Sequence, residues 1–230
     1  RGVTLLLSDK KIIETANDKT KTYKFFRDNK INTPLSFTKE NIILALNEKI
    51  VDYPLIIKPK FGMGSQDIFK INNENELMFF RSYVEDPIIQ EFIQGTEYTI
   101  DVLCGLDGEV ISVVPRERLE VRAGEVSKAR TIKHQGIIEE TITLISKLND
   151  PKLGIKAIGP LNIQCIATTT NEIKFIEINP RFGGGVPLTF EAGVDYGKIL
   201  NEMMRGEAIE PIVGEFKEAT MLRYDEAVFI

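Results

Sequence analysis

Apolar positions fall into short runs between polar loops, and their period changes along the chain. Residues 3–7 form a strand-like run, apolar but for Thr4, that reads as a short buried strand. A turn or two of helix is expected over 9–15. Asn17 or Asp18 is placed to cap a helix running to about Asn29, with Tyr23, Phe25 and Phe26 as its buried candidates. Ile31-Asn32-Thr33-Pro34 ends it. Thr38 precedes a second helix, whose Ile42, Ile43, Leu46 and Ile50 recur at helical spacing. Strands are expected over 54–58, stopped by Pro59, and over 67–71, with a glycine loop joining them as a hairpin. A helix over 73–83 and a strand over 87–93 follow, the strand broken at Gly95.

Residues 99–103 and 110–115 read as a hairpin around Leu106-Asp107-Gly108-Glu109. The stretch 116–134 is rich in Arg, Lys and Glu and shows little apolar periodicity. A helix is expected over 137–148, paired strands over 159–167 and 173–178, and a late helix over 196–204 stopped by Gly206. Helices and a strand followed by a mainly antiparallel sheet make an α+β pattern in two lobes, not a series of βαβ units.

Composition narrows the function classes. The chain has 230 residues, 43% of them hydrophobic and 27% charged, enough for one large domain or two small lobes. A net charge of −5 argues against a protein that coats nucleic acid. Two cysteines without a CxxC pair argue against a disulfide framework and fit a reducing cytoplasm. With His134 as the single histidine, a structural zinc site is close to excluded, and a Cys–His mechanism is improbable. No apolar run reaches membrane-spanning length. The chain starts at Arg1-Gly2 and runs straight into an apolar stretch, and 219–230 ends on another. The expectation is that 1–16 is the tail of a further N-terminal domain and that the C-terminus is cut as well.

The densest chemistry lies in Glu177-Ile178-Asn179-Pro180-Arg181, followed by Phe182-Gly183-Gly184-Gly185. The strand period of two puts Glu177 and Asn179 on one face, with Ile176 and Ile178 on the other. A carboxylate and an amide with a guanidinium beyond them suit a magnesium ion holding a polyphosphate. If 162–166 pairs with this strand, Gln164 adds a third oxygen donor. In Lys60-Phe61-Gly62-Met63-Gly64-Ser65 the glycines let backbone N–H groups approach an anion, although a plain hairpin turn explains them too. Lys58 ends an apolar strand just before that loop. It either meets an anion or snorkels to water. Gln90-Glu91-Phe92-Ile93 leads to Gly95-Thr96-Glu97, an extended segment and a carboxylate suited to a purine and a ribose. The basic run Arg116, Arg118, Arg122, Lys128, Arg130 and Lys133 reads either as a solvated surface or as a loop over the phosphates carrying a substrate arginine, with no single residue favoured.

In this order the motifs resemble the ATP-grasp superfamily over nearly the whole chain, and within it carbamoyl-phosphate-synthase-like proteins. The resemblance implies an ATP-grasp fold, with a small lobe over 17–90 carrying the glycine loop and a large lobe over 91–230 carrying the metal site. It implies that Lys19 and Lys58 contact the phosphates, Lys58 also lying near adenine and counting with Arg181 as catalytic. Gly62, Met63, Gly64 and Ser65 would cover the phosphates. Glu91, Phe92 and Ile93 would bind adenine, Glu91 and Ile93 through their backbones, and Glu97 would hold the ribose. Gln164, Glu177 and Asn179 would hold magnesium or manganese, and Arg181 would stabilise the transferred phosphoryl group. Gln164 stands where many members carry an acidic residue, and Phe182-Gly183-Gly184-Gly185 is commoner in ligase-like members than in the synthase. The implied activity is ligation: ATP activates a carboxylate or bicarbonate as an acyl phosphate, which an amine or ammonia attacks. Alternatives are a carbamoyl-phosphate synthase subunit and a nucleotide-binding module without turnover. The implied partners are small-molecule substrates and an N-terminal domain, with no nucleic acid or membrane and a homodimer left open.

Overall fold

In the computed structural model, residues 5–62, 64, 66–122 and 124–224 are described. Two helices open the fold, α1 (Lys10–Asn17) and α2 (Lys19–Asp28). Asp9 caps the first. Asp18 caps the second, its carboxylate accepting from Thr20 N–H at 2.9 Å and Lys21 N–H at 3.2 Å. That cap fixes Lys19 as the first residue of α2. The described part of the expected 3–7 strand, residues 5–7, is not a strand. Leu5 and Leu7 are exposed there, and only Leu6 packs against the core.

A four-stranded antiparallel sheet follows in the order β1 (Ser36–Thr38), β4 (Pro87–Glu91), β2 (Leu55–Pro59) and β3 (Phe69–Ile71). Helices α3 (Ile42–Asn47) and α4 (Glu74–Tyr83) close it around a core that includes Ile42, Leu55, Ile57, Ile71, Leu77 and Ile89. Ile50, expected on the buried face of α3, lies beyond the helix end and is exposed. The β2–β3 hairpin forms as expected, with the glycine loop at its tip.

The second sheet has six antiparallel strands. Their order is β10 (Thr220–Leu222), β7 (Glu125–Thr131), β6 (Val110–Arg122), β5 (Gly95–Cys104), β8 (Gly159–Thr168) and β9 (Ile173–Asn179). One face packs against α1, α2, α5 (Gln135–Leu148) and α7 (Tyr196–Met204) over a core that includes Phe26, Ile100, Ile163 and Phe175. A short helix, α6 (Pro187–Glu191), follows β9. Gly95 begins a strand rather than only ending one. The basic run 116–134 is mostly strand. Two of its charge pairs lie across the β6–β7 ladder, Glu117 opposite Arg130 and Glu120 opposite Lys128, a pattern that an apolar-periodicity reading passes over. The three-residue strands β1 and β10 are too short to show a period.

Phe26 is fully buried, its ring 6.3 Å from that of Phe175, and it docks the helix carrying Lys19 onto the large sheet. Phe26→Ala is expected to cost about 3–5 kcal/mol in urea unfolding. A loss below about 1 kcal/mol would show that α2 is held in another way.

Candidate active site

The two sheets face each other across a cleft of about 480 Å³, a size typical of small-ligand sites. Its upper wall is β2, its hairpin tip and the end of β4. Its lower wall is the face of the large sheet turned away from the core.

Ladder register builds the lower wall. Arg116 on β6 pairs with Thr99 on β5, Thr99 with Gln164 on β8, and Gln164 with Glu177 on β9. One row across four strands therefore reads Arg116, Thr99, Gln164, Glu177. The next row carries Asp101, Asn162 and Asn179. Gln164 and Glu177, directly opposite, have side chains that emerge about 5 Å apart. The expected alternation on β8 holds: Ile163 and Cys165 lie in the core while Asn162, Gln164 and Ile166 line the cleft.

On β9 the alternation is interrupted. The register slips, Cys165 pairing with Phe175 while Gln164 pairs with Glu177, so Ile176 is an extra residue in a β-bulge. Ile173, Phe175 and Ile178 face the core, and Ile176 lines the cleft beside Glu177 rather than lying opposite it. The signal was present in the sequence: buried apolar residues at 173 and 175 change phase to 178.

The cations converge from above. Lys58 is 5% exposed and forms no hydrogen bond or ion pair among the described residues. Burial pushes its ammonium down to about 8, against the pull of Glu177, and the charge of Lys19 lowers it further. Lys19 is lowered as well, chiefly by burial, with Glu177 and Asp18 opposing. Its Nζ donates to Gly62 O at 3.1 Å, and its N–H donates to Lys60 O at 3.2 Å, tying α2 to the glycine loop. Gly62 and Gly64 have φ of 122° and 74°, in the left-handed region that favours glycine. Met63 and Ser65 lie outside the described residues. Arg181 lines the cleft beyond Asn179 and donates from Nη1 to Phe182 O at 2.9 Å.

The end of β4 offers backbone rather than side chain. The Glu91 carboxylate is occupied by Lys174 Nζ at 2.9 Å and by Leu35 N–H at 3.0 Å. Phe92 and Ile93 line the cleft past the last ladder pair of β4, and the Phe92 ring carries Lys70 Nζ 3.9 Å from its centroid. Glu97 stands at the cleft edge, 3.3 Å from Arg118 Nε, close enough for an ion pair but without hydrogen-bond geometry.

The donor set fits a hard cation. Glu177 supplies one carboxylate and Gln164 and Asn179 supply amide oxygens, while among the described residues no cluster of three His, Cys, Asp or Glu exists. One carboxylate among several cations binds a divalent ion weakly alone and far better together with phosphate oxygens.

Sequence reasoning left the arginine of the basic run unchosen. The structure distinguishes Arg116, 1% exposed and forked onto Asp101 at 2.7 and 3.0 Å. Asp101 itself was the available signal, because a carboxylate inside an apolar strand requires a partner.

The chain belongs to the ATP-grasp family: the model of the ATP-grasp domain matches residues 16–185. It is 26% identical over 215 residues to the carbamoyl phosphate synthase large chain of Campylobacter jejuni and 28% identical over 232 residues to that of Thermoanaerobacter. These alignments cover 88% and 92% of this chain but only 20% of each relative, so the chain spans about a fifth of their length. In structure it is similar to the biotin carboxylase domain of Hydrogenobacter thermophilus 2-oxoglutarate carboxylase, solved with MgADP and bicarbonate. The TM-score is 0.73 at 19% identity, covering 94% of this chain and 51% of that one. It is also similar to the N5-carboxyaminoimidazole synthase of Aspergillus clavatus, at TM-score 0.72 and 14% identity, covering 94% and 58%. These likenesses confirm the ATP-grasp fold expected from the motifs. Among the described residues no helix is long and apolar enough to cross a membrane.

Lys58→Met is expected to stabilise the ligand-free protein by up to about 3 kcal/mol at neutral pH while abolishing nucleotide binding. Because the folded-state pKa lies below the unfolded value of 10.5, the unfolded chain binds the extra proton between pH 8 and 10.5. Wild-type stability relative to the variant therefore rises through that window. Denaturant melts of both proteins from pH 7 to 10.5 measure it, and parallel pH profiles would contradict it.

Proposed function

We propose that the chain is an ATP- and magnesium-dependent ligase domain that activates a carboxylate, or bicarbonate, for attack by an amine or ammonia. The observation that carries this reading is Lys58, a buried ammonium with no hydrogen bond or ion pair among the described residues, facing Glu177 across the cleft. A buried cation of this kind is stabilised by an anion brought from outside, and a nucleotide polyphosphate fits the cleft's size and sign.

In this reading Lys19 and Lys58 hold the phosphates, and the loop of Gly62, Met63, Gly64 and Ser65 covers them with backbone N–H groups. The backbones of Glu91 and Ile93 bind the adenine edge, with Phe92 between them. Ile176, brought over by the bulge, supplies the apolar floor. Glu97 accepts from the ribose hydroxyls. Gln164, Glu177 and Asn179 hold magnesium or manganese, and a metal bound there offsets charge on the terminal phosphates. A carboxylate oxygen forms a bond to the γ-phosphorus as the bond to the bridging oxygen breaks and ADP leaves, with Arg181 opposite the developing charge. The amine nitrogen then bonds to the acyl carbon, the carbon–oxygen bond to phosphate breaks, and the nitrogen loses a proton. The curated relatives, being carbamoyl phosphate synthase large chains, favour bicarbonate as the first carboxylate to assay.

MgATP is expected to raise the melting temperature of the wild-type protein by several degrees at saturation. Glu177→Ala should melt at the wild-type temperature without ligand and lose most of the shift and any carboxylate-dependent ADP release. A wild-type protein whose melting is indifferent to MgATP would overturn the reading.

A further inference from the structure

Asp101 and Arg116 form the most enclosed ion pair of the described structure, each side chain 1% exposed. The Asp101 carboxylate accepts from Arg116 Nε at 2.7 Å and Nη2 at 3.0 Å, from Asn162 Nδ2 at 3.1 Å and from Thr189 Oγ1 at 2.6 Å. Four donors from β6, β8 and α6 hold it, so the guanidinium fork has one orientation. Its third nitrogen, Nη1, is buried and has no hydrogen-bond partner. A buried donor left open costs stability unless a ligand completes it.

What lies over Nη1 is backbone without side chain. A Cβ built on Gly185 would run into Nη1 and come 2.9 Å from Val126 Cγ1, and one built on Gly183 would run into Asn162 Nδ2. Arg116 and Gly185 both line the cleft. Neither glycine has a positive φ, so the absence of a side chain serves close approach rather than a turn. Arg116 also stands in the same ladder row as Glu177, three strand spacings away, or roughly 14 Å between backbones. The space between them is floored by Thr99 and Gln164.

We propose that Arg116 Nη1, under Gly185, receives the acceptor carboxylate, a subsite that rests on the ligase reading above and names its first substrate as an anion held by a single donor. The monodentate geometry matters chemically. A free guanidinium fork would tie up both carboxylate oxygens, but here Asp101 occupies the Nε/Nη2 fork and leaves Nη1 as the nitrogen without a partner among the described residues. Nη1 binds one oxygen and leaves the other turned along the row toward the metal side, where the terminal phosphate lies in that reading. Nη1 is covered by Gly185 in the ligand-free chain, so the subsite requires the Gly183-Gly184-Gly185 segment to lift when the carboxylate enters. The surrounding network is preorganisation: Asp101, Asn162 and Thr189 keep the arginine from following its ligand.

The test uses the protein loaded with MgADP and acetate as the carboxylate probe. Arginine side-chain ¹⁵N resonances are followed, with Arg116 assigned by its loss in Arg116→Lys. Acetate is expected to move the Arg116 resonance saturably. Gly185→Ala, which adds a methyl over Nη1 and removes no charge, is expected to weaken acetate by at least about tenfold. MgADP affinity by calorimetry should stay within about twofold in the same variant. An unmoved Arg116 resonance, or equal acetate affinity in Gly185→Ala, overturns the subsite while leaving the ligase reading standing. Failure of the wild-type protein to bind MgADP brings down both.

Discussion

Among the described residues two cations, Arg116 and Lys58, are buried in opposite walls of one cleft, and only Arg116 has its counter-charge in direct contact. Arg116 is matched by Asp101, with Asn162 and Thr189 completing the carboxylate. Lys58 is matched by nothing in direct contact among the described residues; Glu177 acts on it across a gap. Removing a charge from water costs several kcal/mol unless another charge compensates, so the lysine is a standing demand for an anion. The architecture around the cleft follows from meeting that demand. The small sheet presents the lysine at the end of β2. The large sheet presents Gln164, Glu177 and Asn179, the oxygen donors that the proposed function assigns to a metal travelling with the anion. Helix α2, docked by Phe26 and capped by Asp18, brings the second lysine.

Register gives the lower wall its order. Because the six strands are antiparallel and continuous, side chains far apart in sequence fall into rows, and each row is a line of groups about one strand spacing apart. One of its register shifts, the bulge at Ile176, delivers an apolar residue to the cleft beside Glu177 without disturbing Phe175 or Ile178 in the core.

Much of this was legible in the residues. An apolar run stopped by Pro59 marked β2, strand alternation marked β8, and the pairing of β8 with β9 followed from a short turn. Glycines between apolar strands marked the β2–β3 tip, and the Glu177-Asn179-Arg181 pattern marked a polar face that lines the cleft. Three features escaped. The β6–β7 hairpin was masked because two of its cross-strand pairs are opposite charges, and apolar periodicity is blind to those. The bulge was masked because a phase change inside six residues looks like noise until the partner register is known. Arg116 was masked because six basic residues share its run, and only burial separates the one paired with Asp101 from those paired at the surface. Each failure concerns information that resides in the partner strand rather than in the segment itself.

The most direct measurement is the proton balance of MgATP binding. An anion seated on Lys58 restores its ammonium, so binding must draw a proton from solution when the free lysine is partly neutral. Titration calorimetry at pH 8.5 in two buffers of different ionisation enthalpy should show proton uptake, and at pH 6.5 the uptake should vanish. Binding heats independent of buffer at pH 8.5, or no binding of MgATP, would contradict the central claim that the buried lysine is the nucleotide's seat.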